Sequence, residues 1–303
     1  MLKPPRVRSG ALVGVMAPAS PVREEYVDRG LAELERLGFR TRVGTHLYAR
    51  GRYTAGGWKQ RRDDLLALWN DPDVEAIFCA RGGYGSMELL ASLDPDIFRE
   101  RPKVFLGASD VTAVHGFLGA RAGIVAFHGP MVAQRIARRG YDAEGLVRLI
   151  QTPEPAGVLG APETLEILHR GSAEGELFGG CLSIVASLVG TPFLPPLADA
   201  ILFLEDTLVK PYQIDRMLMQ LKMAGCLDSI RGLVFGQMVN CEQHPDQGYT
   251  LQEMLRDWTA YLGVPVLYGF PSGHTQTNAV TLPLGIRARI DAEGLHLLEG
   301  AVV

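Results

Sequence analysis

The stretch Val74-Glu-Ala-Ile-Phe-Cys-Ala80, running directly into Arg81-Gly-Gly-Tyr-Gly85-Ser86, decides the fold class. It is a compact apolar run of strand length, preceded by the Asn70-Asp71-Pro72 breaker and followed by glycines, as expected of a strand buried on both faces. The same order recurs on either side. Upstream, Ala11 to Met16 reads as a strand, and Glu24 to Leu37 carries an apolar stripe at Tyr26, Val27, Leu31, Leu34 and Leu37 that ends at Gly38, the signature of a capped helix. Arg40 to Val43 is a short strand and Gln60 to Trp69 a helix. Downstream, Glu88 to Ser92 begins a helix, Lys103 to Leu106 is a strand, Val111 to Leu118 a helix and Gly123 to Phe127 a strand. Strands alternating with helices of this length imply βαβ units and a mostly parallel sheet covered by helices.

The pattern changes near residue 151. Residues 151–176 are rich in Pro and Gly and weakly apolar, which reads as a linker between an N-terminal domain, 1–150, and a C-terminal domain, 177–303. The second domain alternates again: a helix over Cys181 to Leu188, a strand over Ala200 to Leu204, a helix over Gln213 to Met223 and a strand over Gly232 to Val239. A helix over Leu251 to Leu262, a strand over Val264 to Tyr268 and a terminal meander of short strands from Thr281 complete it. Met217, Met219 and Met223 read as helical core. The expectation is an α/β protein of two domains with the active cleft between them.

The chain has 303 residues, enough for two cores without disulfide or metal staples. Thirty Lys and Arg against 34 Asp and Glu leave a net charge of -4, which offers no general grip on nucleic acid or anionic lipid. No apolar run reaches membrane-spanning length. The four cysteines, Cys79, Cys181, Cys226 and Cys241, are dispersed and lack metal-ligand spacing, so neither a zinc site nor disulfides are expected, and a reducing compartment, the cytoplasm, fits. Lys3, Arg6 and Arg8 before Ala11 to Ala17 imitate a secretory signal. Gly14 interrupts that apolar run and Pro18 sits inside the supposed cleavage site, so a buried first strand is the better reading.

In open α/β sheets a ligand lies beyond the carboxyl ends of the strands, and four segments there are unusual. Arg81 to Ser86 is a glycine turn whose backbone N–H groups can approach developing negative charge, although such turns also occur for conformational reasons alone. It lacks the Walker ending and the Rossmann spacing, which excludes nucleotide binding there. Gly107-Ala-Ser109-Asp110-Val111 places a serine at a strand-to-helix turn. This suits either a nucleophile or a helix cap, and Val111 replaces the second glycine of a nucleophile elbow. Leu204-Glu205-Asp206 ends a strand in two acids between which the residues alone do not choose. Gly269-Phe-Pro-Ser-Gly-His274 puts a histidine in a loop after a strand. From its place before Gly129-Pro130, His128 is expected to line the cleft, and His115 reads as packed. His46, His169, His244 and His296 read as surface or packing residues without acid partners, and Arg135, Arg138 and Arg139 as a solvated basic edge.

These segments, with Tyr212-Gln-Ile-Asp-Arg216, together resemble the LD-carboxypeptidase family, the serine peptidases that include murein tetrapeptide carboxypeptidases and microcin C self-immunity proteins. The resemblance runs from Gly14-Val-Met-Ala-Pro-Ala-Ser20 to Thr281-Leu-Pro-Leu-Gly285. It implies a triad of Ser109, Glu205 and His274, an oxyanion hole from the backbone N–H groups of Gly83 and Asp110, no metal and no cofactor. The implied substrate is a small peptide, murein tetrapeptide, losing its terminal D-Ala during cell-wall recycling in the cytoplasm, and family members are commonly homodimers. Arg81, beside the glycine turn, is the candidate for the substrate's terminal carboxylate, and Tyr84 a candidate peptide contact. The alternatives are a self-immunity peptidase acting on a peptidyl nucleotide and a non-catalytic two-domain binding protein. The first would need an aromatic platform that Trp58, Trp69 and Trp258 are poorly placed to give. The second would have no use for the serine, acid and histidine.

Overall fold

The computed structural model describes residues 1–159, 165–242 and 244–303. The first half builds β1 (Leu12–Met16), α1 (Glu24–Arg36), β2 (Arg40–Val43), α2 (Trp58–Asn70), β3 (Val74–Cys79), α3 (Met87–Leu90), α4 (Pro95–Glu100), β4 (Val104–Gly107), α5 (Thr112–Phe117), β5 (Ala126–His128) and α6 (Ala143–Gln151). The second half adds β6 (Gly157–Leu159), β7 (Glu166–His169), β8 (Ala173–Cys181), α7 (Leu182–Leu188), β9 (Ala200–Glu205), α8 (Pro211–Met223), β10 (Gly232–Gly236), α9 (Leu251–Thr259), β11 (Val266–Phe270), β12 (Leu282–Leu284), β13 (Arg287–Asp291) and β14 (Gly294–Leu297).

Two sheets result. The first has the order β12-β5-β4-β3-β1-β2, parallel except for β12. Its strands β1, β4 and β5 are buried throughout and β3 at every residue but Glu75, as apolar runs between two helical layers must be. The second has the order β6-β14-β13-β8-β9-β10-β11-β7. Here β8 to β11 run parallel, and antiparallel strands flank them on both sides. The helix α1 illustrates the local logic. Glu24 and Glu25 open it and Arg36 closes it, complementing the helix dipole, and Gly38 takes the left-handed conformation just past its end at φ +88°.

Three expectations change. The stretch 151–176, read as a linker, carries β6, β7 and the start of β8, all in the second sheet; its residues 160–164 lie outside the described residues. Gly157 at the start of β6 and Gly171 between β7 and β8 both take positive φ. The terminal meander is divided, because β12 leaves it to pair with β5 in the first sheet. On α8, Ile214, Leu218 and Leu221 face the core while Met219 and Met223 are exposed, since only i+3 and i+4 spacings share a helix face.

The two sheets are joined tightly. Leu177 of β8 exchanges backbone hydrogen bonds with Gly285 and Ile286, just past β12, and the Thr112 hydroxyl on α5 accepts from the Cys181 N–H at the end of β8 (3.0 Å). At this crossing Gly180 has φ +140°, and a Cβ there would collide with Thr112. The carboxyl ends of β3, β4, β9 and β11 carry the four segments that the sequence singled out.

Candidate active site

The first sheet reverses its strand order between β1 and β3, and the chain beyond both strands meets there. The Ser20 N–H donates to the Gly82 carbonyl (3.2 Å). Its hydroxyl donates to the Tyr53 carbonyl (2.8 Å) and accepts from the Tyr84 N–H (3.1 Å). These bonds fix the glycine turn. Gly83 has φ +110°, and a Cβ there would strike the Ser20 hydroxyl. Ser20 therefore belongs to the site, although in the sequence only its place after a strand pointed to it. The Gly83 N–H has no acceptor among the described residues. Tyr84 is exposed and packs edge-on against Tyr53, and the Arg81 guanidinium donates to the Pro21 carbonyl (2.9 Å) rather than to an acid.

Ser109 sits directly after β4 with φ +61°, a left-handed conformation that is uncommon for residues with a side chain. Its hydroxyl makes no capping bond to the helix that follows, so the cap expected as an alternative is not formed. Instead Asp110 turns away, and its carboxylate accepts from the Ser86 N–H (2.8 Å) and the Ser86 hydroxyl (2.6 Å). That frees the Asp110 N–H, which has no acceptor among the described residues. Gly82 abuts Ser109, and a Cβ there would overlap the serine side chain.

In the second sheet, the last residue of β9 meets the loop after β11. Glu205 is wholly buried. Its Oε2 accepts from His274 Nδ1 (2.8 Å) and from the His274 N–H (2.9 Å). Gly273, at φ +73°, lets the loop pass so close that a Cβ would enter the Glu205 carboxylate. Asp206 points elsewhere and accepts from the N–H groups of Ser183 and Thr207 (both 2.8 Å). Burial by itself would raise the Glu205 pKa, but the attraction of His274 wins and holds it below the usual carboxylate value. Burial also opposes the His274 cation, yet Glu205 and, more weakly, Asp206 raise its pKa, with Arg135 pulling the other way.

His128 does not line the cleft. It is fully buried behind Glu205, with Nε2 at 3.8 Å from Oε1, and burial pushes it down to about 4, so it is neutral there. His115 is likewise packed inside. His46, His244 and His296, read as lacking acids, lie beside Asp64, Asp246 and Asp291. Cys79 and Cys181 are buried, as read from the sequence.

Ala108, the residue before Ser109, lines one cleft of about 310 Å³ together with Gly273 and His274. No hydrogen bond joins the Ser109 hydroxyl to His274 among the described residues, a looseness common in unliganded sites. The assembly offers a hydroxyl on a constrained turn, an imidazole held by a buried carboxylate, and two unengaged backbone N–H groups. Among the described residues the single group with metal-binding spacing is Asp291, Glu293 and His296, on the β13–β14 hairpin and outside this cleft.

Comparison with known proteins places residues 13–129 in the LD-carboxypeptidase N-terminal domain and residues 174–290 in the LD-carboxypeptidase C-terminal domain. The chain is 36% identical over 307 residues to the probable murein peptide carboxypeptidase of Bacillus subtilis, covering 99% of this chain and 95% of that one. It superposes on the microcin C7 self-immunity protein MccF in its wild-type apo state with a TM-score of 0.92 at 23% identity, over 100% of both chains. It also matches the crystal structure of muramoyltetrapeptide carboxypeptidase from Oxalobacter formigenes with a TM-score of 0.83 at 29% identity, over 95% of this chain and 98% of that one.

Proposed function

This chain belongs to the LD-carboxypeptidase family, and from that premise we propose that it cleaves murein tetrapeptide between the L-centre of the diamino acid and the terminal D-Ala, with Ser109, Glu205 and His274 as its triad. The observation that carries the reading is the buried Glu205 carboxylate holding Nδ1 of His274 at 2.8 Å, in a residue that lines the same cleft as Ala108 beside Ser109.

The chemistry follows from that arrangement. His274 Nε2 takes the Ser109 proton as Oγ bonds to the scissile carbonyl carbon, and Glu205 stabilises the imidazolium formed. The oxyanion accepts from the N–H groups of Gly83 and Asp110, which have no acceptor among the described residues. His274 then returns the proton to the leaving nitrogen as the C–N bond breaks. Water, deprotonated by the same imidazole, hydrolyses the acyl-enzyme and restores the serine. Arg81 and Tyr84, flanking the glycine turn, contact the peptide on the oxyanion side. No step calls for a metal or cofactor. We assign the work to cell-wall recycling in the cytoplasm. Among the described residues no helix is long and apolar enough to cross a membrane.

The test is mass spectrometry of wild type and Ser109→Ala incubated with L-Ala-γ-D-Glu-meso-diaminopimelate-D-Ala. Release of D-Ala by wild type alone is the expected result. Release by neither, with both proteins folded, would reject this substrate and turn the search to peptidyl nucleotides and then to a binding role.

A further inference from the structure

Resting on the carboxypeptidase reading above, a second question has an answer in the fold: which group recognises the free end of the peptide. Arg135, Arg138 and Arg139 follow one another on and after the π-helical turn Val132–Ile136, which packs against α1. Two of them are engaged. Arg139 Nε donates to Glu33 Oε2 (2.7 Å), a buried carboxylate that also holds Arg36 and the Tyr141 hydroxyl. The Arg138 guanidinium lies 5.4 Å over the Tyr26 ring.

Arg135 is different. It is half-buried and has no side-chain hydrogen bond or ion pair among the described residues. It lines the same cleft as His274, Gly273 and Ala108; Arg138 reaches that cleft as well, but it is exposed and stacked on Tyr26. Burial and the neighbouring Arg138 both disfavour its charge, and no acid offsets them. A partly dehydrated guanidinium without an anion is a costly arrangement that a carboxylate ligand completes.

Reaction geometry says where that carboxylate must be. The imidazole that protonates the leaving nitrogen stands on the leaving-group side of the scissile bond. In a C-terminal residue the carboxylate carbon is two bonds, about 2.5 Å, from that nitrogen. The anion therefore falls on the His274 side of the cleft, where Arg135 is, whereas Arg81 stands by the oxyanion turn with its guanidinium bonded to Pro21.

We propose that Arg135 is the anchor for the substrate's terminal carboxylate, and so the residue that restricts this enzyme to peptides with a free C-terminus. A fork of two N–H donors onto a carboxylate explains the use of arginine at this position.

The experiment compares hydrolysis of the tetrapeptide with that of its C-terminal amide by wild type, Arg135→Ala, Arg135→Gln, Arg135→Lys and Arg81→Ala, following D-Ala or D-alaninamide by mass spectrometry. Fluorophosphonate labelling of Ser109 serves as the control for an intact site. The expected result is a wild-type preference for the acid that collapses in Arg135→Ala and Arg135→Gln. There kcat/KM for the acid falls about 100-fold and that for the amide changes by less than about threefold, and Arg135→Lys recovers part of the preference. Equal loss on both substrates, no loss on either, or a preference abolished by Arg81→Ala and not by the Arg135 variants would overturn the assignment. Wild type that labels yet releases no D-Ala would remove the substrate reading and the anchor together, while D-Ala release with an unmoved preference would remove the anchor alone.

Discussion

Glu205 Oε2 accepts two hydrogen bonds from one residue, the Nδ1–H and the backbone N–H of His274, so both the imidazole and the loop that carries it are held by a single buried carboxylate. The carboxylate stays ionised although buried, and the imidazole is easier to protonate than a free histidine.

The first prediction is the pH profile. Only neutral His274 can take the Ser109 proton, and its pKa is raised, so kcat/KM should climb with pH through a midpoint above 6.5. Glu205→Gln should move that midpoint down and cost roughly 10³- to 10⁴-fold in kcat. A wild-type midpoint at or below 6.5 would contradict the pairing. Stability should follow the same pair. The contribution of His274 is present at low pH and lost as pH rises through its raised folded value; that of Glu205 is present at neutral pH and lost as pH falls through its depressed one.

Ser109 holds a backbone conformation that glycine adopts without penalty. Ser109→Gly should abolish turnover and raise stability by about 1 kcal/mol, the strain of a left-handed residue with a Cβ. Thermal melts of wild type, Ser109→Ala and Ser109→Gly would show it. A melt of the glycine variant below that of the alanine variant would argue against strain at this position.

At Gly83 an alanine meets both an unfavourable φ of +110° and the Ser20 hydroxyl. The turn must shift and take its N–H with it. We expect Gly83→Ala to lose about 100-fold or more in kcat with KM much less affected, the pattern of a lost oxyanion donor. A change confined to KM would place the turn outside the oxyanion site.

Gly30 packs α1 against the segment that carries Arg135, and a Cβ there would collide with the Val132 carbonyl. Gly30→Ala should destabilise by about 1 to 3 kcal/mol through overpacking. By displacing Val132 it should also raise KM for the free-acid tetrapeptide more than for the amide. Denaturant titration and the two-substrate assay measure these effects separately.

Thiol chemistry should be silent. Cys79, Cys181 and Cys241 are buried and burial pushes all three thiols up, with Cys241 at about 11; in Cys181 the acids Glu205 and Asp206 add to the rise. Cys226, partly exposed, has a raised value too. Iodoacetamide at neutral pH should leave D-Ala release unchanged, since little thiolate is present. Parallel loss of activity and of free thiol would reopen a cysteine mechanism.

Much of this architecture was legible in local chemistry. Val74 to Ala80, Lys103 to Leu106 and Ala200 to Leu204 read as strands because they are apolar but for Glu75 and Lys103 and bounded by turn residues, and they form largely buried strands. The segments after them stood out because glycines, a serine and a histidine at strand ends are local features. The edge strands β6 and β7 were not legible, since strands of three and four residues have too short an apolar run of their own to stand out. The departure of β12 to the first sheet was hidden for another reason: strand pairing is a long-range choice that no window of sequence contains.

The sequence by itself determined the alternation of strands and helices, the presence of a glycine turn and a serine at carboxyl ends of strands, and two adjacent acids after Leu204. Local chemistry did not choose between the two acids; the resemblance implied Glu205, and the tertiary structure is where Glu205 meets His274. Neighbouring residues at a strand end point to opposite sides, so Glu205 meets the β11 loop while Asp206 turns to Ser183 and Thr207. It also separated three arginines that look alike in the chain. Glu33 and Tyr26, both on α1 and about a hundred residues away, hold Arg139 and Arg138, and of the three only Arg135 is a half-buried cleft residue without such a partner among the described residues. A charge acquires its role from what packs against it, and that is settled only when distant segments meet.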